Sequence, residues 1–237
     1  MSEVLTYENW DEKKIGLLMD QQPDYFDILK WAYKEYSNKT IVYACSFGAE
    51  GIVLIDLIYK INKTATIIFL DTGLHFPETY ELIEKVKSKY PSLQIQMIKP
   101  KSSVEEQAKW YGEELWNHNP NLCCHMRKVV PLKEALNDTK AWISGLRREQ
   151  SPTRSNIQFI NKDEKFQNIK ICPLIHWTWK DILTYIDLNK LPINPLHDKG
   201  YPSIGCATCT NPVENTQDLR SGRWVGHSKS ECGLHLN

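Results

Sequence analysis

The sequence predicts an α/β protein: an open, mostly parallel sheet with helices on both faces, followed by an irregular C-terminal extension. Short apolar runs alternate with amphipathic helical segments along the first 190 residues, as in repeated β-α-β units. The strand-like runs are apolar on both faces, which is typical of a parallel sheet covered on two sides. After Leu191 the periodicity fades and prolines and glycines become frequent. We therefore expect one domain over residues 1–237, with an α/β core over 40–190 and a cysteine-containing extension over 191–237.

The individual elements follow from composition and spacing. Five segments have the composition of buried strands: residues 40–46, 65–71, 94–98, 141–145 and 169–174. After the first of them, apolar residues repeat with helical spacing at positions 53, 54, 57, 58 and 61. Pro77 opens a second helix, because proline is favoured at the first helical position. Residues 127–136 and 177–189 predict two more helices, the last opened by Thr178 or His176.

Composition and charge exclude several classes of protein. Lysine and arginine together number 29, and so do aspartate and glutamate, so no overall field attracts the chain to nucleic acid. The apolar stretches at 51–59 and 64–70 are shorter than the roughly 18 residues that a membrane-spanning helix needs. The first residues contain no apolar region of an export signal. We expect a cytoplasmic protein that binds neither nucleic acid nor membrane.

The turn after the first predicted strand has the composition of an anion site. It contains Ser46, Phe47, Gly48, Ala49 and Glu50. Glycine and serine let backbone N–H groups approach an anion, and the N-terminus of the next helix adds partial positive charge. The alternative is that any strand-to-helix turn favours glycine and serine. The turn has neither the Walker pattern nor the GxGxxG pattern of common nucleotide sites.

Asp71, Thr72 and Gly73 follow the second predicted strand. Ligands of open parallel sheets bind beyond the carboxyl ends of the strands, so we expect these residues beside the Ser46 turn, in contact with the same nucleotide. Alternatively, Asp71 only caps the helix that follows.

Two groups of arginines are candidates for anion binding. Arg147, Arg148 and Arg154 follow the fourth predicted strand, where guanidinium groups can bind phosphate in bidentate fashion. Arg220, Arg223 and Lys229 form a second basic group near the C-terminus. Beside them, Trp224 either stacks on a base or anchors the tail.

Four of the seven cysteines form two pairs, Cys123–Cys124 and Cys206-x-x-Cys209. Four thiolates suit zinc or an iron–sulfur cluster. Neighbouring side chains on a helix point about 100° apart, so adjacent ligands fit a cluster with irons at separate corners better than a single ion. The alternative is that both pairs are redox thiols.

The three other cysteines differ in their surroundings. Cys45 and Cys172 lie in apolar runs and are expected to be buried small hydrophobes. Cys232 lies in a C-terminal segment with no apolar pattern to bury it. Folded onto a basic cleft, its thiol would have a lowered pKa and act as a nucleophile.

Together these segments resemble the assimilatory adenylyl-sulfate and phosphoadenylyl-sulfate reductases. The resemblance rests on SFGAE (46–50), DTGLHFPETY (71–80), CCHMRKVVPL (123–132), GLRREQSPTR (145–154), YPSIGCATCT (201–210), RSGRW (220–224) and KSECGLH (229–235). It implies an adenine-nucleotide α-hydrolase-like fold with a nucleotide-binding core. The two cysteine pairs resemble the cluster-bearing branch of the family, in which Cys123, Cys124, Cys206 and Cys209 would hold a [4Fe–4S] cluster.

The resemblance also implies a reaction. Cys232 would attack the sulfur of adenosine 5'-phosphosulfate, expel AMP and form an S-sulfocysteine, from which thioredoxin or glutaredoxin releases sulfite. Lys128 and His235 would be catalytic, and the arginines would stabilise the departing phosphate. Acceptance of 3'-phosphoadenosine 5'-phosphosulfate and a homo-oligomeric state stay open. Two other hypotheses are an ATP-dependent sulfur-transfer or adenylating enzyme on the same scaffold, and a metal-binding regulator without catalysis.

Overall fold

The computed structural model describes residues 3–213 and 218–235. Its centre is a six-stranded sheet with the order β3-β2-β1-β4-β6-β5. The strands are β1 (Ile41–Ala44), β2 (Thr66–Leu70), β3 (Gln94–Ile98), β4 (Ala141–Ile143), β5 (Ile160–Asp163) and β6 (Asn168–Ile171). All neighbouring strands run parallel except β5, which pairs antiparallel with β6. The predicted fold class, a mostly parallel open sheet, is confirmed.

Helices cover both faces of the sheet. They are α1 (Glu12–Met19), α2 (Tyr25–Glu35), α3 (Ala49–Ile61), α4 (Pro77–Lys89), α5 (Val104–Tyr111), α6 (Leu115–His118), α7 (Pro120–Cys124), α8 (Val130–Leu136) and α9 (Trp179–Leu188). Pro77 is the first residue of α4, and Thr178 caps α9 by accepting a hydrogen bond from the Asp181 amide, as predicted. Helices α1 and α2, which precede β1, were not among the predicted elements.

Alternation along β1 divides the core into two layers. Ile41 and Tyr43 face a large apolar cluster shared with α2, α3, α4 and α9. Val42 faces a smaller cluster on the other side of the sheet, which Leu132 and Leu136 of α8 complete. Both faces of the strand are therefore buried, which explains why the strand sequences are apolar throughout rather than alternating.

The order of the strands creates one crevice at the carboxyl edge of the sheet. From β1 the chain proceeds through β2 to β3 on one side, and it then returns to place β4 on the other side of β1. The loops that leave β1 and β4 diverge at this switch point, where ligands of open α/β sheets bind. The loop after β1 begins at Cys45 and the loop after β4 at Ser144.

The C-terminal extension is irregular, as predicted. In its described part, regular structure consists of two 3-10 turns, His197–Lys199 and Ala207–Cys209. Isolated bridges join His75 to Cys206 and Thr210 to Arg223, which fixes the extension across the carboxyl edge of the sheet. The boundary between core and extension at residue 190 stays a prediction.

Across residues 3–213 and 218–235, no helix has the length and apolar character needed to cross a bilayer.

Candidate active site at the carboxyl edge of the sheet

A cavity of about 180 Å³ lies at the switch point. It is lined by the loops after β1 and β4, by the extension and by the C-terminal tail. The lining residues with predicted roles are Ser46, Gly48, Ala49, Glu50, Lys128, Arg147, Arg154, Arg220, Arg223, Trp224, Cys232 and His235. The structure thus brings together, around one space, most of the residues that the sequence singled out.

The loop after β1 exposes its backbone because Phe47 anchors it. Phe47 has a left-handed φ of 55° and is almost fully buried, with its ring edge-on to Phe69 at 5.5 Å. Phe47 is therefore a core residue and does not line the cavity. Gly48 is the N-cap of α3 and provides no side-chain hydrogen bond, so the first N–H groups of α3 keep their capacity for a ligand.

Arg147 is fully buried and already paired. Its Nη2 lies 2.8 Å from Glu50 Oε1, and its Nη1 lies 2.6 Å from Glu149 Oε2. Burial opposes the charge on Glu50, but Arg147 outweighs this effect and holds the pKa of Glu50 below its usual value. Arg147 therefore fixes the first turn of α3 to the loop after β4, and much of its charge is compensated within the protein.

The other two arginines of this group have different positions. Arg148 Nε donates to the Ile157 carbonyl at 2.8 Å, and its side chain is not part of the cavity lining. Arg154 is buried and lines the cavity, where it pairs with Glu231 of the tail. Of the three arginines predicted to bind anion, the structure places Arg147 and Arg154 at the cavity and Arg148 outside it.

Asp71, Thr72 and Gly73 form a turn beside the cysteines, outside the cavity lining. Asp71 Oδ1 accepts hydrogen bonds from the Gly73 amide at 3.2 Å and from the Tyr80 hydroxyl at 2.7 Å. The N-cap of α4 is Phe76, so the alternative in which Asp71 caps that helix is wrong. Thr72 Oγ1 lies 3.3 Å from Cys206 Sγ, which places this turn against the second cysteine pair.

Arg127 supports the same turn and was missed as a functional residue. It is buried, its Nε donates to the Thr72 carbonyl at 2.6 Å, and its Nη1 donates to Gln107 Oε1 at 3.2 Å. In the sequence it is one more basic residue in a helical segment, so nothing distinguished it from Lys128 next to it. Its side chain braces the turn at Thr72 against α5.

The four paired cysteines converge next to the cavity. Cys123 and Cys124 end α7, while Cys206 precedes a 3-10 turn of the extension and Cys209 is its last residue. Burial, together with the neighbouring Cys124, Cys206 and Cys209, raises the pKa of Cys123 to about 12. Sulfur atoms from two distant parts of the chain are therefore close enough to influence one another electrostatically.

The helical backbone changes its geometry immediately after the two adjacent cysteines, which are the last two residues of α7. A π-helical turn, His125–Val129, follows Cys124 directly, and such turns are frequent at functional sites. Within residues 3–213 and 218–235, no group of three or more Cys, His, Asp or Glu side chains is arranged to hold a metal ion. The four thiols are nevertheless soft donors of the kind that zinc and iron–sulfur clusters prefer.

Lys128 lies in the π-helical turn and lines the cavity. Burial disfavours its charge, but Cys206, Cys232 and Cys124 outweigh burial and raise the pKa of Lys128. No carboxylate in the described ranges, 3–213 and 218–235, forms an ion pair with it. Its ammonium group therefore remains available to an anion in the cavity.

Trp224 organises the second basic group. It is buried and lines the cavity, and its ring is approached by Arg223 at 4.5 Å, Lys229 at 5.5 Å and Arg220 at 5.7 Å. Trp224 thus holds cations around the cavity. This agrees better with the predicted role of anchoring the tail than with that of stacking on a base.

Gly205 determines where the Arg223 guanidinium lies. A Cβ atom at this position would stand 2.6 Å from Arg223 Cζ. The G205A variant is expected to displace the guanidinium without removing its charge, and to lower kcat/KM by about 10- to 100-fold because catalysis is sensitive to such displacements. Steady-state kinetics measure the effect. The G16A variant is the matched control, because Gly16 lies in α1 with open space around it and this change should leave kcat/KM unaltered.

The C-terminal tail is packed onto the cavity, although its sequence has no apolar pattern. Leu234 packs against the smaller apolar cluster of the sheet. The His235 ring is stacked on Trp142 at 6.2 Å with an angle of 11° between the planes. Lys165 donates to the Gly233 carbonyl. One leucine contact and one aromatic contact are enough to hold the tail, because β4 and α8 provide the surface on which it packs. Cys232 lies partly buried between these contacts.

Acid is expected to loosen the docked tail. Burial, followed by the charges of Lys170, Arg154, Arg220 and Lys128, holds the pKa of His235 well below its usual value. A free tail protonates this ring near pH 6.5, so the docked state loses stability as pH falls below that value. Hydrogen exchange of the tail, corrected for intrinsic rates, should increase between pH 7.5 and 5.5. The H235Q variant, whose side chain does not titrate, should show no such increase.

Cys45 and Cys172 are buried, as predicted. Burial raises the pKa of Cys45 to about 12 and that of Cys172 to about 11. Both thiols therefore stay protonated. Cys45 and Cys232 both line the cavity, and of these two only Cys232 is partly exposed.

Comparisons with known proteins agree with this architecture. The phosphoadenosine phosphosulfate reductase domain matches residues 40–212. An adenosine 5'-phosphosulfate reductase of Geobacillus sp. (strain WCH70) is 62% identical, covering 99% of this chain and 100% of the relative. Adenosine 5'-phosphosulfate reductase 2 of Bacillus subtilis (strain 168) is also 62% identical, covering 99% of each chain.

Solved structures give the same result. The crystal structure of phosphoadenylyl-sulfate reductase from Candida auris, a phosphate complex, has a TM-score of 0.73 and 33% identity, covering 86% of this chain and 98% of that chain. An FMN adenylyltransferase of Candida glabrata has a TM-score of 0.56 at 20% identity, covering 82% of this chain and 65% of that chain, and shares the fold alone. The resemblance inferred from the sequence motifs is confirmed: this chain belongs to the phosphoadenosine phosphosulfate reductase family.

Proposed function

We propose that this protein reduces adenosine 5'-phosphosulfate to sulfite and AMP, with Cys232 as the nucleophile. The observation that carries the proposal is the position of Cys232 on the same cavity as Lys128 and Arg223, at the switch point of the sheet. A thiol, two cations and the free N–H groups of a helix N-terminus face one space. This combination suits the transfer of a negatively charged sulfonyl group.

The first step forms a covalent intermediate. The Cys232 thiolate attacks the sulfur of the nucleotide, the bond from that sulfur to the phosphate oxygen breaks, and AMP departs with the electron pair. The product on the protein is an S-sulfocysteine. Negative charge grows on the phosphate oxygen as this bond breaks, so fixed cations stabilise the transition state more than the ground state. Lys128 and Arg223 are placed to do this.

The second step needs an external dithiol of the thioredoxin or glutaredoxin class. One of its thiolates attacks Cys232 Sγ, the bond between the two sulfurs of the intermediate breaks, and sulfite departs with the electron pair. The second thiol of the reductant resolves the mixed disulfide and regenerates Cys232. The dithiol is oxidised by two electrons, and the sulfur of the substrate is reduced by two.

We infer that Cys123, Cys124, Cys206 and Cys209 hold a [4Fe–4S] cluster. The chemistry of the donor set supports this: the four thiols are soft donors, they are buried or partly buried, and they come from two distant segments of the chain. When bound, the cluster supplies a fixed charge and a rigid link between α7 and the extension. Lys128 then holds positive charge between the cysteines and the substrate.

The names of the relatives support adenosine 5'-phosphosulfate, the nucleotide without a 3'-phosphate, as the preferred substrate. Relatives named for adenosine 5'-phosphosulfate are 62% identical over nearly the whole chain, whereas the Candida auris enzyme named for the 3'-phosphorylated form is 33% identical. We therefore expect a higher kcat/KM for adenosine 5'-phosphosulfate than for 3'-phosphoadenosine 5'-phosphosulfate.

The decisive experiment uses anaerobically purified protein with each nucleotide and reduced thioredoxin. Sulfite and AMP should form in equal amounts, and omission of the reductant should leave one S-sulfocysteine per chain, at Cys232, in a peptide digest. Formation of AMP without any sulfonated peptide would exclude the covalent route. Parallel assays with glutaredoxin determine which reductant is used.

A further inference from the structure

Glu231, the residue before Cys232, is a buried carboxylate with no role in the reaction described above. It is 2% exposed. Arg154 Nε donates to its Oε1 at 2.8 Å, and Arg154 Nη2 donates to its Oε2 at 2.7 Å. Two parallel charge-assisted hydrogen bonds of this kind are the strongest and most directional contacts between side chains. The tail is therefore attached to the loop after β4 immediately beside the reactive thiol.

Further donors surround the same carboxylate. Arg220 Nη2 donates to Glu231 Oε2 at 3.2 Å, and the hydroxyls of Ser151 and Thr153 lie 3.3 and 3.4 Å from Oε1. Burial raises the pKa of Glu231, but Arg154 outweighs burial and holds it below its usual value. Glu231 thus stays ionised and compensates two guanidinium groups that the fold has placed side by side.

Three of the five N–H groups of Arg154 are used within the protein while the tail is docked. Its Nε and Nη2 donate to Glu231, and its Nη1 donates to Gln150. Arg223 differs, because in the described residues its longer hydrogen bonds, 3.3 Å to the Cys209 carbonyl and 3.4 Å to Ser203 Oγ, involve no carboxylate. The cations at the cavity therefore differ. Arg154 and Arg220 bind the tail carboxylate and Arg147 is paired with Glu50. In the described residues, Lys128 and Arg223 have no carboxylate partner.

The attachment fixes the backbone on one side of Cys232, and the Lys165 contact with the Gly233 carbonyl fixes it on the other. Cys232 is held between these two points and faces the cavity. A thiol on a free tail would be spread over many positions, so the two contacts restrict it to the attacking position.

We propose that the ion pair of Glu231 and Arg154 attaches the tail and positions Cys232 at the cavity. Arg154 then binds the tail rather than the nucleotide. Both are positioning residues, since they act on the reaction through Cys232. The inference rests on the proposed role of Cys232 as nucleophile, but the attachment itself is testable without any turnover.

The first test measures access to Cys232 in the full-length, anaerobically purified protein without nucleotide. Iodoacetamide labelling is followed at the Cys232 peptide by mass spectrometry. The E231Q variant should label at least about tenfold faster than the parent, as expected for the loss of a charge-assisted bidentate contact. The R154Q variant should behave in the same way. E81Q, which changes an exposed carboxylate of α4, is the matched control and should label at the parent rate.

The second test separates positioning from nucleotide binding. In single-turnover reactions, E231Q and R154Q should each form S-sulfocysteine about tenfold more slowly, and the double variant should be no slower than either, because both changes break one contact. In the C232S background, R154Q should leave the dissociation constant for AMP unchanged within about threefold. If R154Q does not accumulate as folded protein, R154K replaces it in the test. Lysine keeps the positive charge but cannot form the two parallel hydrogen bonds of a guanidinium group.

The outcomes are distinct. Three results would each contradict the proposed positioning role of Glu231 and Arg154: unchanged labelling in E231Q, additive effects in the double variant, or a large loss of AMP affinity in R154Q. Faster labelling with an unchanged sulfonation rate would also overturn it, because positioning would then not depend on Glu231. If the parent forms no S-sulfocysteine while labelling still responds to E231Q and R154Q, the proposed function fails and the attachment stands.

Discussion

The C232S variant is expected to form no sulfite from adenosine 5'-phosphosulfate and no sulfonated peptide. Serine keeps the size of the side chain but replaces a good nucleophile with a poor one, and loss of a covalent nucleophile lowers kcat by about 10⁴- to 10⁶-fold in other enzymes. Cys45, the other cysteine that lines the cavity, does not replace it, since burial raises the pKa of Cys45 to about 12. Sulfite assays and peptide mass spectrometry measure the loss.

The controls for this variant address folding and the cysteine pairs. The iron content and thermal midpoint of C232S should equal those of the parent, because Cys232 is partly exposed and is not one of the four paired cysteines. C172A removes another single thiol, fully buried in a small apolar cluster away from the cavity lining, and should keep full activity. Sulfite production by C232S at even a tenth of the parent rate would show that a different group accepts the sulfonyl.

Most of the architecture could be predicted from the sequence because the parallel strands are buried on both faces. Runs such as residues 65–71 have few alternatives to a central strand. Strand β5 was missed for the opposite reason. It lies at the edge of the sheet and contains Asn161, Lys162 and Asp163, and its position depends on contacts such as Trp142 Nε1 to Asp163 Oδ2 at 3.0 Å. Local composition does not encode a strand whose partners are distant in the sequence.

The location of the site was predictable, but its internal pairing was not. Strand order and the rule for switch points place the loops at Ser46 and Arg147 together. Which arginine faces the cavity depends on carboxylates far along the chain: Glu50 is 97 residues from Arg147, and Glu231 is 77 residues from Arg154. A single amino-acid sequence contains no signal that identifies ion pairs between residues so far apart. Arginines that look equivalent in the sequence therefore have different tasks in the folded protein.

Lys128 is expected to be the cation whose loss most impairs turnover without disturbing the fold. Arg147 and Arg154 are compensated by Glu50 and Glu231, whereas no carboxylate of the described residues pairs with Lys128. The K128A variant should lower kcat by about 100- to 1,000-fold, the usual cost of removing one fixed group that stabilises charge in the transition state. KM should change less, because the charge on the departing phosphate oxygen grows only as the bond breaks.

A set of matched measurements distinguishes this electrostatic role from a structural one. The iron content of K128A should equal that of the parent, and K128R should recover part of the lost kcat because it restores the charge at the same turn. K133A, an exposed lysine of α8 five residues further along the chain, should have no effect. Loss of iron from K128A together with loss of activity would instead mean that Lys128 maintains the cysteine site. An unchanged kcat would mean that Arg223 and the N-terminus of α3 stabilise the departing phosphate without it.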